Sequence, residues 1–418
     1  MSVLRRNIFS LLLLQGSNYI IPLLTLPYLT RVLGVEGFGV YSLTLSLAQY
    51  FVILIDFGFN LSASKKIAER QDDSSYISKV FFETLFSKSL LCLVSIVIVV
   101  LLLATNPHAV IQRELIYTGL MLIGTTLMPV WFFQGIEKLS VVTNLMIVAK
   151  LSMLPLFFIF VHSDADVKYA VMIQSSMNLL AGIIAIVYIY RKKLVRKVNF
   201  SSLKIAHTLK DSFPIFCATL SISLYTMSTT IIIGIFSNVY EVSIFTAADR
   251  VKGAILGVFL VLGNAFYPRI NSLLVNKKEE AYALIRKIFY WQGALCIVIT
   301  LFVIIFSKLI TRIMFGHEYS EVSTLLILFS PVYLLVIQST VLGNYILLPH
   351  GHKKSYTILP MISAIIHIPL CAYLASKYGA WGGVFSIIAI ETLSFICLIV
   401  ILKRKSLLFE ILSRNKNG

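Results

Sequence analysis

The sequence predicts an all-α integral membrane protein of about twelve transmembrane helices in two six-helix bundles, and three observations predict it. Of the 418 residues, 58% are hydrophobic and 13% are charged, with a mean hydropathy of +0.88; a water-soluble domain carries nearer a quarter of charged residues. Twelve apolar stretches follow one another, and each can cross a hydrocarbon layer of roughly 30 Å as a helix of about 20 residues. Basic residues then fall on alternate connections between the stretches. These features exclude a soluble enzyme, and no connection is long enough to hold a separate soluble domain.

The stretches lie near 9–30, 39–61, 82–104, 115–134, 141–161, 169–190, 214–236, 243–266, 288–310, 322–347, 356–375 and 381–402. Arg5 and Arg6 precede the first of them as in a signal peptide, but the apolar run continues to about Leu29 without a small-residue cleavage site. It reads as a first membrane helix that stays, bent by Pro22 and Pro27.

The termini and the even-numbered connections hold 26 Lys and Arg. The odd-numbered connections hold six, namely Arg31, Arg113, Lys168, Lys308, Arg312 and Lys377. Basic segments resist translocation, so this asymmetry predicts a multi-pass protein with both termini in the cytoplasm. Topology thereby explains most of the formal net charge of +17 without nucleic acid as a partner.

The longest connection, 191–213, carries Arg191, Lys192, Lys193, Arg196 and Lys197 near the middle of the chain. It predicts an N-terminal lobe over 1–190, a basic cytoplasmic linker over 191–213 that attracts anionic lipid, and a C-terminal lobe over 214–418. A weak repeat agrees. Tyr41 stands 24 residues before Lys65 and Phe245 stands 24 before Arg269, while Gly135 and Lys138 echo Gly351 and Lys354.

Within the stretches the ionisable residues are Asp56, Glu83, Lys88, Lys150, Asp249, Arg250, Lys252 and Glu391. Each is costly against lipid, so each is expected to face the bundle interior, water or an opposite charge. Lys150 lies about 16 Å along its helix, beyond easy reach of either surface. It is expected either to pair with Glu391 or to meet substrate in a wet cavity. Asp249, Arg250 and Lys252 form either a self-neutralised cluster or a phosphate-binding group, with Arg250 the leading candidate because a guanidinium offers a planar fork of donors. Asp56 is expected to pair with Lys65 or to bind a coupling cation. Glu83 and Lys88 stand early in the third stretch and are expected to snorkel to the cytoplasmic face. Arg31 either anchors the outer interface or lines a cavity.

Trp131, Phe132, Phe133, Tyr267, Tyr378 and Trp381 sit at stretch ends, the position of an interfacial aromatic belt. The five cysteines, Cys92, Cys217, Cys296, Cys371 and Cys397, show no CxxC or metal spacing and read as small apolar fillers. His350 and His352 have no third ligand in view. No Ser/His/Asp arrangement, phosphate loop or nucleotide fingerprint is present at an interpretable spacing, so neither catalysis nor a cofactor is expected.

Several segments nevertheless resemble one family. Pro27-Tyr28-Leu29-Thr30-Arg31-Val32-Leu33-Gly34, Gly37-Phe38-Gly39-Val40-Tyr41 and Asp56-Phe57-Gly58-Phe59-Asn60 resemble the opening of polysaccharide transporters of the Wzx type, the O-antigen flippases. Trp131-Phe132-Phe133-Gln134-Gly135 with Lys138, Phe245-Thr246-Ala247-Ala248-Asp249-Arg250 and Tyr378-Gly379-Ala380-Trp381-Gly382-Gly383 extend the likeness, which runs from about residue 5 to 402. The resemblance implies the fold of the multidrug/oligosaccharidyl-lipid/polysaccharide exporter superfamily, two lobes around a central cavity open alternately to each side. It implies a bacterial inner-membrane protein that moves an undecaprenyl-diphosphate-linked oligosaccharide between leaflets. Polysaccharide polymerase and chain-length machinery are the implied partners, besides membrane lipids.

On this reading Arg250, Lys252, Lys150 and Arg31 contact the substrate, while Asp56, Asp249 and Glu391 respond to H⁺ or Na⁺. Two alternatives stay open. One is a cation or drug antiporter of the same superfamily, and the other is a membrane-embedded O-antigen polymerase or ligase, which would carry a large outer loop that this chain lacks.

Overall fold

In an apolar solvent every backbone N–H and C=O must be satisfied within its own segment, which leaves helices as the simplest spanning element. The computed structural model describes residues 3–105, 110–196, 198 and 204–408, and the regular structure among them is helical. Lys197 of the expected basic linker lies outside the described residues. The chain forms two compact units, Met1–Leu220 and Ser221–Gly418.

The first unit contains α1 (Val3–Asp56), α2 (Phe59–Ala68), α3 (Ser74–Thr105), α4 (Val110–Ile116), α5 (Gly119–Leu127), α6 (Val130–Gly135), α7 (Leu139–Phe160) and α8 (Val167–Arg191). The helix α9 (Ile205–Thr226) begins in this unit and ends in the next. The second unit continues with α10 (Ser228–Phe236), α11 (Val239–Asn276), α12 (Lys278–Met314), α13 (Val322–Leu328), α14 (Ser330–Thr340) and α15 (Lys353–Arg404). Between α14 and α15 the chain forms a π-helical segment, Val341–Leu347.

Eight of the described helical stretches are long and apolar enough to cross a membrane, or nine when α9 and α10, bent by 57° at their junction, are counted as one span. Two of the eight run across a non-helical residue, Gly34 in α1 and Gly379 in α15. Dividing them there, counting α9 with α10 as one span and adding the 38-residue α11 gives the twelve segments expected from the sequence. Broad apolar faces stay uncovered, as lipid-facing surfaces require. Leu93, Val97 and Leu101 are exposed on α3, and Ile297, Val298, Leu301 and Ile305 are exposed on α12.

Within each unit, successive connections alternate between two ends. In the first unit the Tyr28 hydroxyl donates to the Val161 carbonyl at 2.6 Å, which brings the turn near Gly34 and the α7–α8 connection to one end. At the other end Gln71 Nε2 donates to the Gly135 carbonyl at 3.0 Å, and the Arg196 N–H donates to Ser78 Oγ at 2.9 Å. In the second unit the Tyr240 hydroxyl donates to Glu321 Oε1 at 3.2 Å at one end, and the Tyr282 hydroxyl meets His350 Nε2 at 3.2 Å at the other. The expected sorting of basic connections onto opposite ends therefore has its geometric counterpart inside each unit.

Small residues set the closest helix approach. Gly124 of α5 lies on the backbone of Asn178 and Leu179, and Gly182 of α8 lies on the Gly124 carbonyl, so a side chain at either position would push the pair apart. Gly379 is required for a different reason. Its φ is +53°, and a Cβ there would collide with the Glu241 carboxyl, whose Oε2 accepts the Ala380 N–H at 2.7 Å.

The structure corrects two expectations. The fourth stretch is not one helix but α4, α5 and α6, interrupted at residues 117–118 and 128–129, where Pro129 supplies no N–H to continue the ladder. Trp131, Phe132 and Phe133 of α6 are not an interfacial belt: they are 1%, 0% and 0% exposed and pack with Phe81 in the core of the first unit. The cysteines do fill apolar positions at Cys92, Cys296 and Cys371, which are buried, whereas Cys217 is exposed.

Candidate functional site

A buried ammonium needs acceptors on several sides. Lys88 meets this need in the first unit. Its side chain is 2% exposed, and Nζ lies 2.9 Å from Asp56 Oδ1 while donating to the Thr125 carbonyl at 2.6 Å and the Met128 carbonyl at 3.4 Å. Asp56 ends α1 just before the break at Phe57 and Gly58, which have φ of +42° and +76°. Thr125 and Met128 close α5 just before the break at Pro129. One cation thus sits where two helices end, the sign that the partial charge of helix C-termini favours.

This corrects two more expectations. Lys88 does not snorkel, because its neighbours supply a carboxylate and two carbonyls at depth. Asp56 pairs with Lys88 rather than Lys65, whose ammonium lies 3.8 Å from Glu69. Glu83 does not snorkel either: it is 8% exposed, accepts the Lys204 N–H at 2.9 Å and lies 3.3 Å from Thr208 Oγ1. It fastens the start of α9 to α3.

The second unit holds its charges in α11. Asp249 and Lys252 are separated by three residues, and Lys252 Nζ lies 2.5 Å from Asp249 Oδ1 and 4.9 Å from the Phe329 ring centroid. Close by, the buried His367 shares a 3.0 Å hydrogen bond with Thr229 Oγ1, within electrostatic reach of Lys252. Arg250 follows Asp249 and so leaves the helix on a different side, roughly 100° around. It is exposed and forms no ion pair among the described residues.

Depth follows from helix position. Lys150 and Arg250 are each the twelfth residue of their helices, α7 and α11, and Glu391 is the twelfth after the Gly379 break. Each therefore lies about 16 Å along its helix, near half of a hydrocarbon layer. Lys150 and Glu391 are half-buried, and Arg31 is exposed at the end of α1 that precedes Gly34. The structure brings Asp249 and Lys252 together and Asp56 to Lys88. Sequence alone does not single out His367 or Thr229, because a lone histidine in an apolar stretch carries no spacing signal.

Residues 4–274 match the family described as polysaccharide biosynthesis protein. The chain belongs to that family. Over 409 residues it is 32% identical to the Escherichia coli (strain K12) protein named "Putative O-antigen transporter", covering 97% of this chain and 98% of that protein. Family members of this kind are transporters rather than catalysts. Among solved structures, the chain is similar to "Lipid II flippase MurJ, inward closed conformation", with a TM-score of 0.71, 15% identity and coverage of 96% of this chain and 87% of that one. It is also similar to a multidrug resistance MATE family transporter of the MOP superfamily in its outward-facing conformation, with a TM-score of 0.65, 15% identity and coverage of 96% and 95%. These likenesses show the fold, an all-α bundle of membrane helices.

Proposed function

We propose that this polysaccharide biosynthesis family protein is a flippase for lipid-linked glycans, and that its substrate is an O-antigen-type oligosaccharide on undecaprenyl diphosphate. The single observation that carries the reading is Arg250, an exposed residue eleven residues, about 16 Å, past the start of α11. Such a group costs several kcal/mol or more against hydrocarbon, so its face has to border water or an anion. A diphosphate supplies that anion, and the polyprenyl tail can remain in lipid.

On this reading Arg250 leads the substrate contacts, with Lys252, Lys150 and Arg31 in support. Asp249 absorbs part of the Lys252 charge, which ranks Lys252 below Arg250. Asp249 and Glu391 are the carboxylates proposed to respond to H⁺ or Na⁺; Asp56 joins them as a group whose charge is already shared with Lys88. The protein works in the bacterial inner membrane with both termini cytoplasmic, alternates access between its faces, and hands its product to the polymerase and chain-length machinery.

The test is substitution with surface polysaccharide as readout. Arg250→Gln, Lys252→Gln and Lys150→Gln should each lower surface polysaccharide in cells that depend on this chain, at unchanged protein level. Normal polysaccharide from all three variants would overturn the site.

A further inference from the structure

A second basic site lies away from Arg250, at the end of α12. There a cavity of about 380 Å³ is lined by Lys308, Thr311, Arg312, His317, Ser320 and Ser323. Lys308 and Arg312 are four residues apart on one helix, so they share a face and repel each other. Neither forms an ion pair among the described residues, and the nearby Glu321 accepts instead from the Tyr240 hydroxyl. Thr311, between them in sequence, is 2% exposed, and its hydroxyl has no hydrogen-bond partner among the described residues. Burying a hydroxyl without a partner is unfavourable. Two uncompensated cations and an unsatisfied hydroxyl thus converge on one hollow.

Phosphate esters match this set. A guanidinium presents paired donors to phosphate oxygens, an ammonium adds a point charge, and serine and threonine hydroxyls supply further donors. The surroundings show where the rest of the ligand goes. Ile305, Leu309 and Ile313 are exposed at four-residue intervals along α12, 69%, 51% and 59% accessible, and form an apolar track beside the Lys308–Arg312 face. A soluble anion has no use for that track, whereas an acyl or prenyl chain does.

We propose that this cavity binds the phosphate-ester headgroup of a membrane lipid, with the lipid tail along α12. Two lipids share the chemistry: a bulk anionic glycerophospholipid and a polyprenyl diphosphate. The site stands apart from Arg250, and its existence does not depend on the flippase reading.

The test measures binding to the purified full-length protein in detergent by native mass spectrometry. The probes are phosphatidylglycerol, undecaprenyl diphosphate, dioleoylglycerol as the phosphate-free control, and inorganic phosphate. The variant Lys308→Gln/Arg312→Gln should weaken binding of at least one phosphate lipid about tenfold, and dioleoylglycerol should bind neither protein at this site. Loss confined to undecaprenyl diphosphate identifies the polyprenyl source, and loss of phosphatidylglycerol identifies the bulk lipid. Thr311→Val, which keeps shape and charge, should weaken the same lipid several-fold at an unchanged melting temperature. Unchanged affinity for both lipids in the double variant, or inorganic phosphate binding as tightly as the lipids, overturns the proposal. The assay reads binding alone, so it tests only this site, while normal surface polysaccharide from the Arg250, Lys252 and Lys150 variants would overturn the flippase site and leave this one standing.

Discussion

Lys88 Nζ stands 2.9 Å from Asp56 Oδ1 at the point where α1 and α5 both end. The two residues are 32 positions apart, and the contact fastens two interrupted membrane helices to α3. Removing one partner leaves a buried charge uncompensated, which costs about 3–5 kcal/mol when both groups are buried. Lys88→Met should therefore lower the melting temperature of the detergent-solubilised protein strongly. Asp56→Asn should lower it less, since Asp56 is 33% exposed and Lys88 keeps the Thr125 carbonyl. The double variant should be less destabilised than the sum of the two, by about 1 kcal/mol or more. Additive effects in a thermal-unfolding cycle would show that the pair contributes nothing as a pair.

Trp131 distinguishes a packed core from an interfacial belt. At 1% exposure in contact with Phe81 and Phe132, it should cost about 3–5 kcal/mol on substitution by alanine. Trp381, which borders a cavity with Tyr378 and Phe385, should cost clearly less. Comparing the unfolding midpoints of W131A and W381A measures the difference.

Gly379→Ala places a Cβ against Glu241 at a left-handed φ. The change should destabilise the protein by about 1–3 kcal/mol. Protein yield and melting temperature both report it, and Gly119→Ala, where a Cβ meets nothing within 4 Å, is the matched control.

Asp72 and Asp164 lie in connections at opposite ends of the first unit, and both are exposed. Once the native cysteines are replaced, Asp164→Cys should react with a membrane-impermeant maleimide in intact spheroplasts. Asp72→Cys should react only after permeabilisation. The reverse pattern would invert the orientation drawn from the basic connections.

The number of helices and the sorting of their connections were legible because a hydrocarbon layer dictates both segment length and where lysine and arginine can stay. The partner of Asp56 was not. Lys65 is closer in sequence, but Lys88 is fixed by α3 against two helix ends that exist only because the chain breaks at Gly58 and Pro129. Those breaks also explain Trp131, since distance along an interrupted segment no longer measures depth. For Asp249, Arg250 and Lys252 the sequence left a self-neutralised cluster and a phosphate-binding group both open, and the structure pairs Lys252 with Asp249 across one helical turn. His367 and Thr229 meet across 138 positions and needed the fold to appear.

Gly34 and Gly379 each join two long helices through a single non-helical residue. A joint that short lets the two arms pivot but keeps their facing ends one residue apart, so neither arm can slide along the other. Inserting even a few flexible residues at Gly379 should uncouple the last two spans while leaving each one intact.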